Sequence, residues 1–172
     1  KAIPGANTNV PIWILGSSLY GAQLAAHFGL PYAFASHFAP DQLLEAMAIY
    51  RELFKPSEQL STPYSAFVVN VVAADTDDEA KHLFTTLQQN VVRMRRNTRG
   101  QLPPPIANLD EFCEPHEKAA ANHQLDCSIV GSLETVKTGM RHWLDKTGAN
   151  EIICTGQIFD HQARLKSFEI AA

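Results

Sequence analysis

Gly16-Ser17-Ser18-Leu19-Tyr20-Gly21 brings two hydroxyls and a run of main-chain amides into one short segment, where an apolar run stops and helical spacing begins. At a strand's carboxyl end and a helix's start, such a segment points unpaired N–H groups and a positive dipole end at one small volume, which suits a phosphate. Gly16 permits a tight turn, Ser17 or Ser18 can donate a hydroxyl, and the amides of Leu19, Tyr20 and Gly21 can supply further donors. No lysine stands close by in sequence, and the G-x-x-x-x-G-K-[ST] pattern of a triphosphate loop is missing. The chemistry indicated is therefore binding of a monoester phosphate, largely by backbone donors. Serines in front of helices ordinarily cap them without any ligand, and on these residues alone capping is the better reading.

The elements that must position this segment alternate regularly. Val10-Pro11-Ile12-Trp13-Ile14-Leu15 reads as a first strand buried on both faces, stopped by Gly16. A helix follows from Leu19, with Leu19, Ala22, Ala25 or Ala26 and Phe28 on one side, and Gly29 and Pro31 end it. Tyr32-Ala33-Phe34-Ala35 resumes a strand, so residues 10–35 form a compact parallel βαβ unit. Pro40 opens a helix towards Lys55 that offers Leu43, Leu44, Met47, Ala48 and Phe54 to the core, and Tyr64 to Ala74 is a third strand. Thr76-Asp77-Asp78-Glu79 is a capping box for a helix whose inward stripe is Ala80, Leu83, Phe84, Leu87, Val91 and Met94. An irregular excursion at about 97–127 carries short helical pieces and no clear strand. Ser132 caps a helix ending at Gly148, Glu151 to Thr155 is the fourth strand, and Asp160 caps the closing helix.

Four strands, each followed by a helix, predict a parallel α/β architecture in a single unit over 1–172. An eight-stranded barrel typically needs ~250 residues, so four β/α units amount to the carboxy-terminal half of a TIM-type barrel, with an open doubly wound sheet as the competing arrangement.

The composition, 45% hydrophobic with a net charge of -4 over 172 residues, indicates a folded chain and argues against non-specific nucleic-acid binding. Arg93, Arg95, Arg96 and Arg99 cluster where a helix ends, which suits its dipole. No apolar run approaches the ~20 residues of a membrane span. The opening Lys1-Ala2-Ile3-Pro4-Gly5-Ala6-Asn7 lacks the features of a secretory signal and reads as a cut through a longer protein. Cys113, Cys127 and Cys154, odd in number and without paired spacing, fit structural thiols in a reduced cytoplasmic setting. His82, His116, His123, His142 and His161 show no metal-ligand spacing. Trp13, Phe67 and Trp143 follow the periods of their strands and helix and read as core residues.

Several runs together are more specific than any one of them. Pro11 to Ser18, Gly29-Leu30-Pro31-Tyr32-Ala33-Phe34-Ala35-Ser36-His37-Phe38, Asn70 to Thr76, Val130 to Val136 and Gln157-Ile158-Phe159-Asp160-His161 resemble, in order, the bacterial luciferase-like flavin monooxygenases. The resemblance covers nearly the whole chain beyond residue 9. It implies that the turn after the fifth barrel strand holds the phosphate of FMN, which carries onto Gly16, Ser17, Ser18, Leu19, Tyr20 and Gly21. It places Ser36, His37 and Phe38 near the flavin ring, although a structural role for His37 ranks above a catalytic one. Gln157, Ile158 and Phe159 follow the last strand at the same end of the barrel, as pocket residues or as a packed loop.

The resemblance further implies an FMN-dependent oxidoreductase, a monooxygenase that oxidises a small organic substrate with O₂ in the complete protein. Reduced flavin would come from a flavin reductase or directly from NAD(P)H. The absent front half would supply four strands and the principal catalytic contacts, so no catalytic residue is assigned here and the chain alone is expected to be inactive. Open sheet edges favour a homo-oligomer or association with that half. A non-catalytic flavin- or phosphate-binding fragment and an oligomerisation module are the alternatives.

Overall fold

In the computed structural model, which describes residues 3–172, the elements run β1 (Ile14–Gly16), α1 (Leu19–Phe28), β2 (Tyr32–Phe34), α2 (Leu43–Leu53), β3 (Ser65–Ala73) and α3 (Asp77–Arg95). A 3-10 turn at Leu109–Glu111, α4 (Pro115–Gln124), β4 (Ser128–Gly131), α5 (Leu133–Thr147), β5 (Glu151–Thr155) and α6 (His161–Ala171) follow. Lys1 and Ala2 of the opening segment lie outside the described residues.

β3 is the strand its sequence marks most strongly: valines, alanines and one phenylalanine favour a pleated surface covered on both sides, and all nine of its residues are buried. Every strand pair is parallel. The register aligns Gly16, Phe34, Phe67 and Ile152 across four strands. Phe67 thus has β2 on one edge and β5 on the other. Asn70 registers with both Ser128 of β4 and Thr155 of β5. Since a strand offers one partner position per edge, β4 lies beyond the end of β2 on β2's side of β3. The main frame is therefore β1-β2-β3-β5, with β4 added near its carboxyl edge.

Because side chains alternate across a strand, this register sorts the residues into two faces. Ile14, Phe34, Phe67, Val69, Val71, Ile152 and Cys154 pack on one side with Ala22, Ala25 and Ala26 of α1, Leu43 and Met47 of α2, and Val136 of α5. Burying a side chain such as Phe34 or Phe67 stabilises the fold by about 1.5–3 kcal/mol. The opposite face carries Leu15, Ala33, Ala66, Val68 and Ile153. Leu15 is 64% exposed and Ile153 is 40% exposed, as expected for a sheet without its closing partners.

Local signals explain most boundaries. Gly29 ends α1 in the left-handed region at φ 62°, and a Cβ there would also stand 2.4 Å from the Lys55 carbonyl oxygen. Thr76 accepts a hydrogen bond from the Glu79 amide at 3.2 Å, and Asp160 accepts one from the Ala163 amide at 2.8 Å.

The structure corrects several expectations. Among the described residues there are five strands, since Ser128–Gly131 pairs with β3. The Val10 to Leu15 run is not a strand buried on both faces: pairing starts at Ile14, and Val10, Ile12, Trp13 and Leu15 are exposed because nothing covers the outer edge. α2 begins three residues after Pro40 and buries Leu43, Ala46, Met47 and Tyr50, leaving Leu44 and Ala48 in solvent. Phe28 and Met94 also lie on exposed sides of their helices. No helix among the described residues is long and apolar enough to cross a membrane.

Candidate functional site at the carboxyl edge of the sheet

Gly16 ends β1 in register with Phe34 of β2, and its carbonyl accepts the Ala35 amide at 2.8 Å. The turn after β1 and residues 36–38 after β2 consequently emerge side by side at the carboxyl edge of the sheet. α1 then starts at Leu19 with Ser18 as its N-cap, in extended backbone at φ -149° and ψ 169°. The Ser18 side chain makes no capping bond. No acceptor among the described residues takes the amide hydrogens of Ser17, Ser18, Leu19, Tyr20 or Gly21. Ser17, Ser18 and Tyr20 are exposed, Leu19 is half-buried and Gly21 is buried, so the open side of the turn is its Ser17–Ser18 end. The turn therefore offers exposed backbone donors and two hydroxyls at a helix's positive end, a donor set that fits a phosphate monoester.

The two glycines matter through close approach. A Cβ at either Gly16 or Gly21 would stand 3.2 Å from the other's Cα, so together they let the first turn of α1 press against the strand end. Neither has a positive φ, so what favours glycine at position 16 is the close packing between strand and helix rather than the turn's dihedral angles.

After β2 the chain divides its roles. Ser36 is fully buried and its hydroxyl donates to the Val68 carbonyl at 2.5 Å, so it ties β2 to β3 and leaves no free donor at the site. His37 is half-buried and stacks edge-on to Phe38, with ring centres 4.7 Å apart. Its Nδ1 is buried and has no hydrogen-bond partner among the described residues. Burial lowers the His37 pKa below its ordinary value, which keeps the ring neutral at pH 7.

His37 and Phe38 line a hollow of about 240 Å³ that also meets Asn70, Leu87, Asn90, Val91, Met94, Gln124, Leu125 and Gln157. Asn70, 1% exposed, organises its floor: Nδ2 donates to the His37 carbonyl at 2.7 Å, and Oδ1 accepts from the Thr155 hydroxyl at 3.0 Å. Gln157 lies in the hollow, Ile158 is buried against Val72 and Ala80, and Phe159 is exposed. Asn70, Asn90 and Gln124 were not singled out from sequence, although an asparagine inside Val-Val-Asn-Val-Val was a usable signal, because a buried polar side chain needs partners. Two larger hollows, of about 500 and 880 Å³, are lined by α5 residues alone and bring no second element's groups together. No group of His, Cys, Asp and Glu among the described residues is arranged to hold a metal ion.

A parallel β/α sheet with a serine-bearing turn of free backbone donors and a hollow at its carboxyl edge has the layout of about half a TIM-type barrel, whose ligand sites gather at that edge. The family model for luciferase-like monooxygenases matches residues 1–151, and the chain belongs to that family. It is 52% identical over 171 residues to a protein of Escherichia coli K12 named luciferase-like monooxygenase, covering 99% of this chain and 51% of that protein. It is 44% identical to the Bacillus subtilis 168 protein YvbT, covering 100% of this chain and 51% of that one. Among solved structures, apo-MsnO8 superposes with a TM-score of 0.87 at 31% identity, covering 98% of this chain and 52% of that chain. An F420-dependent secondary alcohol dehydrogenase, at 14% identity and a TM-score of 0.57, shares the fold, with 96% of this chain and 49% of that one covered. The chain spans about half the length of the curated relatives it matches.

Proposed function

We propose that this chain contributes the phosphate-binding turn and part of the substrate pocket of an FMN-dependent monooxygenase, which oxidises a small organic substrate with O₂ when the barrel is complete. The observation that carries this reading is the turn Gly16 to Gly21, whose amides from Ser17 onwards lack acceptors among the described residues while its two glycines hold the helix start against the strand end. Family membership supports the same assignment.

In this mechanism the Ser17 and Ser18 hydroxyls and the amides of the turn through Gly21 would hold the FMN phosphate. The flavin supplies the redox chemistry with O₂ when bound. Residues 36–38, which follow the neighbouring strand β2, would adjoin the ring, with His37 presenting a neutral imidazole. Leu87, Val91 and Met94 exclude water from the substrate side. Reducing equivalents come from NAD(P)H, directly or through a flavin reductase, and the protein works in the cytoplasm. The exposed Leu15 and Ile153 on the uncovered face favour a homo-oligomer or pairing with a complementary half-barrel. A monomer by light scattering at working concentration would count against this last point.

An FMN titration of the chain, followed by flavin fluorescence, tests the assignment. Hydrogen bonds to charged groups contribute about 1.5–3 kcal/mol, so Ser17→Ala combined with Ser18→Ala is expected to weaken FMN at least ~10-fold. Unchanged affinity in the double variant would overturn it. Binding that needs the serines, without substrate oxidation when reduced FMN is supplied to the chain joined with its complementary half, would instead favour a non-catalytic flavin-binding module.

A further inference from the structure

The hollow bounded by His37, Asn70, Asn90 and Gln157 has a specific chemical character. Its apolar wall is Phe38, Leu87, Val91, Met94 and Leu125, and no ionised side chain lines it, since the His37 ring is neutral. Its polar atoms differ in how far they are engaged, and Gln124 Oε1 already accepts from the Arg95 guanidinium at 3.0 Å. Those of Asn70 are fully engaged by the His37 carbonyl, Ser128 and Thr155. Those of the rim amides are not. Asn90 Nδ2 donates to Gln157 Oε1 at 3.3 Å, which leaves Asn90 Oδ1 as an acceptor and Gln157 Nε2 as a donor, each without a partner among the described residues. The unpartnered His37 Nδ1 belongs to the same wall. A volume of about 240 Å³ corresponds to roughly eight water molecules at ~30 Å³ each.

We infer that this hollow binds an uncharged organic group about the size of a monosubstituted benzene. Its head, one that both donates and accepts hydrogen bonds as a carboxamide or alcohol does, sits between Asn90 and Gln157, and its apolar body lies on Leu87, Val91 and Met94. A charged head between Asn90 and Gln157 would lose its hydration without gaining a counter-charge there, since the cation bonded at the lining, Arg95, is exposed and donates to Gln124 Oε1 at 3.0 Å. A purely apolar molecule would leave the two amide groups unmatched. The position fits a substrate: β3 is two strand spacings, about 10 Å, from the phosphate turn at the end of β1. Calling the occupant a substrate rests on the flavin reading, whereas the binding itself does not.

Benzamide is the probe, titrated into the 172-residue chain, with benzoate and toluene as matched controls. The side-chain amide signals of Asn90 and Gln157 are followed by ¹H–¹⁵N NMR. Benzamide is expected to shift both signals saturably and to bind at least tenfold more tightly than either control. Asn90→Leu, which removes the acceptor, and Met94→Trp, which fills the mouth from a partly exposed position, are each expected to weaken it fivefold or more. Circular dichroism checks that both variants keep the fold. No benzamide binding up to its solubility limit, equal binding of benzoate or toluene, or undiminished binding in both variants would each overturn the inference. The Ser17→Ala/Ser18→Ala protein should bind benzamide as the parent does. If FMN binding fails while benzamide binds, the flavin reading falls and the pocket stands; the reverse result removes the pocket alone.

Discussion

Two places in this sheet repeat one local design with opposite outcomes. β1 runs into α1 through Gly16-Ser17-Ser18, and β4 runs into α5 through Gly131-Ser132. Both turns follow a parallel strand's carboxyl end, both N-caps are serines, and neither serine makes a side-chain capping bond. At α5 the chain supplies the anion itself: Asp77 Oδ1 accepts from the Ser132 amide at 2.6 Å and the Thr135 hydroxyl at 2.8 Å. The backbone bond from Ser132, followed by the Thr135 bond, lowers the Asp77 pKa below its ordinary value. At α1 no carboxylate among the described residues arrives, and the amides of the exposed Ser17, Ser18 and Tyr20 remain open. The same helix-end chemistry that holds a carboxylate internally in one turn is left available to an external anion in the other.

This contrast breaks most visibly at the glycines. A Cβ on Gly131 would lie 2.5 Å from Thr135 and 2.7 Å from Asp77 Oδ1, so Gly131→Ala must displace the bound carboxylate and the helix start together. A destabilisation of about 3 kcal/mol is expected, at the upper end of overpacking costs. Gly16→Ala meets only a 3.2 Å approach to Gly21 at an ordinary φ, and the loss of unfolded-state freedom offsets part of the strain. Its cost should stay below about 1 kcal/mol. Urea midpoints for the two variants, compared at fixed slope, check the order, and equal shifts would mean the two turns are packed alike.

Asp77→Ala keeps the α5 backbone and removes only its anion, so a smaller loss than for Gly131→Ala is expected. Because the folded-state pKa of Asp77 is depressed, its contribution is fully present above the unfolded value near 4 and is lost as pH falls through the lower folded value. The urea midpoint of Asp77→Ala should therefore lie below the parent's at pH 6–7 and converge with it as pH drops below about 4. A deficit that does not change with pH would show that the carboxylate's charge plays no part.

How much of this was legible beforehand varied with burial. β3 was placed to within one residue at each end because both of its faces are covered and every position therefore carries the pattern. β1 misled for the complementary reason. Its apolar run is suited to a covered strand, yet Leu15 is exposed because its neighbours on that side belong to the rest of a barrel. β4 escaped notice because Ser128-Ile129-Val130-Gly131 is too short for a period to emerge, and what holds it is its register with β3. The Gly16 to Gly21 turn could be located from residue types alone. The Asn90–Gln157 pair could not, since those residues are 67 positions apart and meet only where α3 comes beside the loop that follows β5.

The smallest effect is the most discriminating. A structural N-cap holds a helix amide with its side chain, and replacing it by alanine typically costs ~1 kcal/mol. Thr76, bonded to the Glu79 amide at 3.2 Å, should behave this way. Ser18 stands at the same position of α1 but bonds no amide in the folded chain, so Ser18→Ala removes no native interaction. Without flavin its urea midpoint should shift by less than about 0.5 kcal/mol. With saturating FMN the parent should be stabilised more than Ser18→Ala, because a ligand that binds the folded state more tightly shifts stability by mass action. If instead Ser18→Ala costs as much as Thr76→Ala without ligand and responds to FMN as the parent does, the hydroxyl is an ordinary cap and the open turn has no special claim on a phosphate.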